Sequence, residues 1–203
     1  MKKKVLVVDL DGTLYTINTF HYFIKFLIID CFSNLKIGLL FKLCIALASR
    51  IFTSHSKMKH NVLKLLNNRS DINYECFVKS ISSKKRHISH LEENKFHTKV
   101  LATAAPSCYA KVIAQNEGFD VCIGTSFPSI KFNSSFENKS EVKKSNVLNY
   151  LKKQKTDQID LFITDHIDDL PLMKLAKKNI IVQPNNGFLL ALKQNSISFE
   201  VIK

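Results

Sequence analysis

Apolar positions along this chain follow two alternating rhythms. Val5-Leu6-Val7-Val8 is an uninterrupted apolar run in which three of the four residues are β-branched. A run with no polar alternation predicts a strand covered on both faces, as in a parallel sheet. From about residue 18 to residue 66 the spacing becomes three and four, as in Phe20, Phe23 and Phe26/Leu27, or Leu39/Leu40, Leu43 and Leu47. That spacing predicts helices. Residues 54–98 continue as helix with polar joints, Ser70-Asp71 being a helix start and the basic stretch 82–86 a loop or helix end. Short apolar runs then return at 99–103, 121–125, 161–164 and 179–182, the last of them ended by Pro184, Asn185, Asn186 and Gly187. Between them, 104–117, 146–153 and 168–178 read as helices, the first with Pro106 in its opening turn and Gly118 beyond its end. Short strands alternating with helices predict an α/β fold with a five-stranded parallel sheet and right-handed crossovers.

Charge and composition narrow what such a fold can be for. A chain of 203 residues buries a full core, and one domain with an insertion suits it better than two independent domains. The net charge of +13 is concentrated, because residues 19–98 hold 13 Lys/Arg against 5 Asp/Glu. Such an excess attracts an anionic substrate, a nucleic acid or an anionic membrane surface, or serves only to keep the protein in solution. A membrane-spanning helix needs about 18 uninterrupted apolar residues. Lys25, Asp30, Lys36, Lys42 and Arg50 break every candidate run, so the helices are expected to pack on each other, with one face free to touch a bilayer interface. Three lysines lead directly into the first strand, leaving no export signal visible. Cys31, Cys44, Cys76, Cys108 and Cys122 are scattered, without a Cys-x-x-Cys, and are read as buried reduced thiols of a cytoplasmic protein. His55, His60, His87, His90 and His97 form no acid-flanked His-x-x-x-His pair and are taken as surface or core residues. No recognised nucleic-acid motif accompanies the charge, so no nucleic-acid partner is expected.

The candidate chemistry begins where the first strand ends, at Asp9-Leu10-Asp11-Gly12-Thr13. In an open α/β sheet, ligands bind at the carboxyl ends of the strands. Two carboxylates two residues apart would face one crevice there, with Gly12 allowing a sharp turn. Acids held so close need a positive charge between them, and a hard divalent cation such as Mg²⁺ takes oxygen ligands. The stretch from Val7 to Leu14 resembles the first motif, Asp-x-Asp-Gly-Thr after a buried strand, of the haloacid dehalogenase superfamily of phosphohydrolases.

Three further stretches extend the resemblance in the family's order, over residues 5–172. Thr103-Ala104-Ala105-Pro106 stands where the family places a Ser or Thr that holds a phosphate oxygen, aided by free backbone N–H groups at the start of the next helix. The phosphoserine-phosphatase-like branch often has Ser-Ala-Ser-Pro here, so this chain lacks the second hydroxyl. Lys139-Ser140-Glu141-Val142-Lys143 resembles Lys-Gly-x-x-Lys and selects Lys143 as the phosphate lysine, with Lys144 the alternative one residue out of phase. Asp165-His166-Ile167-Asp168-Asp169-Leu170-Pro171-Leu172 resembles the family's second acidic motif, with Thr164 and His166 replacing its usual Gly and Ser. Asp165 ends a strand and Asp169 follows one helical turn later on the same side.

The resemblance implies a Rossmann-like parallel core at 1–15 and 99–203 with an α-helical cap at 16–98. It also implies an Mg²⁺-dependent phosphatase in which Asp9 is nucleophile and Asp11 general acid and base. Asp9, Asp11 (through its backbone carbonyl), Asp165 and Asp169 would bind the metal, and Thr103, Ala104 and Lys143 the phosphate. Phosphoserine phosphatases carry an acid soon after the first motif, whereas residues 15–21 hold none, which argues against phosphoserine. The apolar, basic cap suits a lipid-linked phosphate at a membrane surface as well as a small phosphomonoester. A non-catalytic binder of anions or nucleic acid on the same scaffold is the remaining class.

Overall fold

A computed structural model describes residues 4–129, 131–156 and 158–202. Lys2 and Lys3 of the basic leader lie outside the described residues. The strands are β1 (Val5–Val8), β2 (Thr98–Pro106), β3 (Val121–Thr125), β4 (Ile159–Thr164), β5 (Ala176–Val182) and β6 (Phe199–Ile202). They form one parallel sheet in the order β3-β2-β1-β4-β5-β6. The uninterrupted apolar run does what its composition demands: β1 lies fully buried in the middle, Val8 opposite Leu101 on one side and Ile163 on the other. The chain builds outward from β1 to one edge and then returns to build the other. The carboxyl end of β1 is therefore the point where strand order reverses, and a crevice opens there.

Eight helices flank the sheet among the described residues. Between β1 and β2 come α1 (Thr19–Ser33), α2 (Ile37–Ala48), α3 (His55–Leu66) and α4 (Tyr74–Ile81). After β2 come α5 (Ser107–Asn116), α6 (Ser140–Lys153), the single turn α7 (Leu170–Met173) and α8 (Asn186–Gln194). Strand alternation divides the core. Leu6, Val8, Leu101 and Ile163 face a continuous buried cluster with α1–α5, whereas Val5, Val7, Val100 and Phe162 face α6–α8. The four inserted helices thus share one apolar interior with the sheet, centred on Phe23, Phe77 and Tyr109, whose rings lie 4.9–5.0 Å apart. The two ends of the insertion are tied together, Thr16 N–H donating to the Lys84 carbonyl and Arg86 N–H to the Leu14 carbonyl.

The structure corrects several expected boundaries. The sheet has six strands rather than five, because the last four described residues add β6 along β5. It is a short edge strand, half exposed on both faces, so no apolar run marks it. β2 continues through Ala104 and Ala105 to Pro106, and α5 begins only at Ser107. A residue before proline is driven out of helical geometry, which explains the delay. The helix expected over 168–178 is a 3₁₀ turn at Ile167–Asp169 followed by α7, and β5 already begins at Ala176. Pairing of Ile159 with Ala176 and the ion pair of Lys177 with Asp160 draw that segment into the sheet. In the insertion, α4 is capped by Asn73, whose side chain accepts from Cys76 N–H, and not by Ser70-Asp71. α6 starts at Ser140, six residues earlier than expected. All five thiols are free, but only Cys31 is buried; Cys44 and Cys76 are exposed. No helix among the described residues is long and apolar enough to cross a membrane.

Candidate active site

The crevice at the end of β1 is a cavity of about 640 Å³. Asp9, Asp11, Thr103, Ala104, Lys143, Asp165 and Asp169, which are the residues singled out in the sequence, all line it. Asp9 follows β1 directly and is fixed by its own N–H donating to the Ile163 carbonyl at 2.9 Å. The chain then turns at Gly12, whose φ of +76° is a left-handed conformation. A Cβ on Gly12 would stand 2.0 Å from Asp165 Oδ2, so glycine is required here twice over. Thr13 completes the link, its buried hydroxyl donating to Asp165 Oδ1 at 3.0 Å. The loops after β1 and β4 are in this way locked against each other.

Asp11 is held by the insertion. Thr19, at the first turn of α1, donates to Asp11 Oδ1 through its N–H at 2.8 Å and through its hydroxyl at 2.6 Å. The Thr19 oxygen in turn lies 3.1 Å from the Tyr109 hydroxyl. One carboxylate oxygen is thus committed to positioning, which leaves the other to the cavity.

Of the two neighbouring lysines, one faces the cavity and the other does not. Lys143 lies on the inner face of α6 and is buried, with Nζ 2.9 Å from Asp9 Oδ1 and 2.6 Å from Asp169 Oδ1. Lys144 is turned outward to Glu141 at 3.1 Å. Asp169 also accepts from the Thr164 hydroxyl at 2.7 Å, so the residue replacing the family's usual Gly holds an acid in place. Lys139 pairs with Asp168 at the rim.

Thr103 is buried, and its hydroxyl oxygen accepts the Ala105 N–H at 3.0 Å. With α5 starting at Ser107, Thr103 and Ala104 stand at an irregularity of β2 and not at a helix N-terminus, so the expected contribution of helix N–H groups there is withdrawn. Asn138 supports the segment from behind: buried, it donates to the carbonyls of Thr103 and Ile123 and accepts from Asn146.

Burial and mutual repulsion leave the cavity acids short of positive charge. Burial pushes the Asp9 carboxyl up to about 8, against the pull of Lys143 and with a further push from Asp169 and Asp165. Burial also raises Asp11, although the bonds from Thr19 oppose it, and raises Asp165 against the bond from Thr13. For Lys143, burial works against the charge, but Asp169 and Asp9 outweigh it and hold the ammonium protonated. With Lys59 paired to Glu137 and Lys139 to Asp168, Lys143 is left to face Asp9, Asp11, Asp165 and Asp169. An all-oxygen donor set short of positive charge fits a hard divalent cation. No three metal-ligating side chains among the described residues are gathered into a ready cage. Mg²⁺ does not need one, because it binds through one or two carboxylates, keeps its waters and takes oxygens from a phosphate.

Three titratable cavity residues escaped the sequence as site residues. Lys59 of α3 is buried, reaching the Ala104 carbonyl at 3.2 Å and forming an ion pair with Glu137, which also lines the cavity. Its ammonium sits 5.2 Å above the Phe20 ring. His55, expected at the surface or in the core, opens α3 at the cavity wall, where burial and Lys59 lower its pKa. Nothing in a basic helical stretch distinguishes an inward lysine from its outward neighbours.

This geometry agrees with what comparison with known proteins finds. The family model of haloacid dehalogenase-like hydrolases matches residues 6–174, and the chain belongs to that family. No curated protein matches it in sequence. Among solved structures, a protein of unknown function from Bordetella pertussis Tohama I is similar with a TM-score of 0.74 at 17% identity, over 100% of this chain and 99% of that one. A phosphoserine phosphatase solved as a phospho-aspartyl intermediate analogue is similar at TM-score 0.60 and 14% identity, over 100% and 94%. A phosphoserine phosphohydrolase-like protein from Francisella tularensis subsp. tularensis SCHU S4 follows at 0.56 and 15%, over 98% and 94%. At such identities the likeness establishes the fold.

Proposed function

We propose that this hydrolase is an Mg²⁺-dependent phosphatase that cleaves a phosphomonoester through an aspartyl-phosphate on Asp9. The observation that carries the reading is the convergence of Asp9, Asp11, Thr103, Lys143, Asp165 and Asp169 on one cavity, from segments far apart in the chain. Lys143 keeps Asp9 in reach of its ionised form and faces the position of the transferring phosphoryl oxygens, with Thr103 lining the same cavity. An oxygen of Asp9 attacks phosphorus, and the bond from phosphorus to the ester oxygen breaks. Asp11, whose carboxyl burial holds above its ordinary range, gives its proton to the departing oxygen. As a carboxylate it then takes a proton from water, whose oxygen attacks phosphorus. The bond to Asp9 breaks, inorganic phosphate leaves, and both aspartates return to their starting states. Asp9, Asp165 and the Asp11 backbone carbonyl would hold Mg²⁺, with Asp169 reaching it through one of its waters, and the ion would supply charge neutralisation for the phosphoryl group.

Residues 16–98 would act as the cap, since Asn18, His55 and Lys59 form the wall opposite the acids. The free thiols favour a reducing, cytoplasmic setting. A small phosphomonoester is the substrate class we adopt; a lipid-linked one is the second reading, favoured by the exposed apolar residues of α1 and α2. Hydrolysis of an aryl phosphate with Mg²⁺, lost on chelation and in Asp9→Asn, tests the proposal. A wild type as inert as Asp9→Asn across a broad panel of phosphate esters would refute it and leave a non-catalytic anion binder.

A further inference from the structure

Most large apolar side chains that this protein exposes lie in one short part of it. Eight of the eleven among the described residues fall between Ile29 and Phe52. Ile29 and Phe32 lie on the outer stripe of α1, and Ile37, Phe41 and Ile45 on that of α2. Leu35 in the turn between them is 80% exposed, and Phe52 after α2 is 88% exposed. The inner stripes, Phe20, Phe23 and Leu27 of α1 and Leu39 and Leu43 of α2, are buried in the normal way. These helices are therefore apolar on both sides, and scattered single exposures do not describe them.

The charge on the same segment decides what would cover it. Residues 29–70 contain seven Lys/Arg and a single acid, Asp30. Lys36 is paired with Asp30 and Asp71, Arg69 with Asp71, and Lys59 with Glu137. Lys42, Arg50 and Lys64 remain exposed. A second copy of this chain would bring the same positive surface against itself, and the segment's one acid, Asp30, is already paired with Lys36. A surface both apolar and cationic matches the boundary layer of an anionic bilayer, where apolar side chains enter the acyl region and basic ones meet the headgroups.

We propose that the outer face of α1 and α2, together with the turn carrying Ile51 and Phe52, docks this protein on an anionic lipid surface. The placement has a consequence for the cavity. Phe52 is two residues from Ser54, which lines the cavity wall, and two residues span at most about 7 Å. A chain docked through Phe52 holds that wall close to the headgroups. The proposal does not depend on hydrolysis, so its failure and that of the phosphatase reading are separable.

The test is co-sedimentation of the full chain with vesicles of phosphatidylcholine alone or mixed with phosphatidylglycerol. Binding to the mixed vesicles, weakened by salt, is expected. Phe41→Glu and Phe52→Glu alter exposed side chains and should each lower the binding constant by about tenfold or more. Lys42→Glu should lower it by a smaller factor. Leu190→Glu, at an exposed apolar position on α8, serves as control and should bind as wild type, and circular dichroism verifies that every variant is folded. Wild-type protein that stays in solution with the mixed vesicles at low salt overturns the proposal. So do Phe41→Glu and Phe52→Glu proteins that bind unchanged. Sedimentation of the wild type as a dimer that Phe41→Glu dissociates, without vesicle binding, would assign the face to a second copy instead.

Discussion

Replacing Gly12 with alanine introduces two separable insults. The first is conformational: at φ +76° an L-residue with a Cβ is strained by about 1–2 kcal/mol. The second is steric, because the new methyl carbon would stand 2.0 Å from Asp165 Oδ2 and 2.5 Å from its Cγ. Ordinary contact begins near 3.4 Å, so the Asp165 carboxylate must retreat by more than 1 Å. Such a displacement breaks the bond from Thr13 and takes an acid out of the cavity. Misplacement by about 1 Å costs on the order of 100-fold in rate. Gly118 offers an internal control, since it has φ +70° but nothing within 4 Å of a built Cβ. Gly118→Ala should lose about 1–2 kcal/mol in urea unfolding and leave Mg²⁺-dependent aryl phosphate hydrolysis unchanged. Gly12→Ala should lose more stability than Gly118→Ala and about 100-fold in kcat. Retention of wild-type kcat in folded Gly12→Ala would show that Asp165 has no part in the chemistry and would refute the argument.

Other outcomes follow from the same geometry. Lys143→Met should abolish hydrolysis and cost about 3–5 kcal/mol in urea unfolding, because it strands buried carboxylates, whereas Lys144→Met should be close to neutral in both. Asn138→Ala removes the side-chain bonds to two carbonyls and to Asn146, and should cost about 2–4 kcal/mol by the same measurement. The Asp71 carboxyl is held well below its ordinary range by hydrogen bonds from Arg69 and Lys36. Its contribution is therefore present above the unfolded value of about 3.9 and is lost as pH falls through the lower folded value. Thermal melts of wild type and Asp71→Asn should accordingly differ at pH 5 and converge in strong acid.

What could be read from the sequence and what could not follow a physical division. β1 and β4 are signalled by buried apolar runs and β3 by a half-buried one, and the acids after β1 and β4 by their adjacency to those runs. Asp9, Asp11, Lys143, Asp165 and Asp169 were therefore placed correctly at one cavity. The family motif's spacing picked Lys143 over Lys144, and burial agrees. Where local propensity and tertiary pairing compete, the reading failed. Residues 176–178, Ala-Lys-Lys, look helical, yet β4 and the Asp160–Lys177 ion pair take them into the sheet. β6 has a single neighbour and no core face of its own, so its pattern is faint. Lys59 and Glu137 lie far apart in sequence, and only the folding of α3 over the cavity makes them partners.

The central position of β1 sets a timetable for making this protein. Its inter-strand partners, Leu101 opposite Val8 and Leu161 opposite Leu6, are synthesised far later, the second of them 155 residues on. At about 5–20 residues per second a ribosome needs about 8–30 seconds to reach it. Until β2 is made these four apolar residues have no sheet partner, and until β4 is made one of their two edges stays open. The nascent chain must shield them by transient collapse onto its own helices or by borrowing a chaperone.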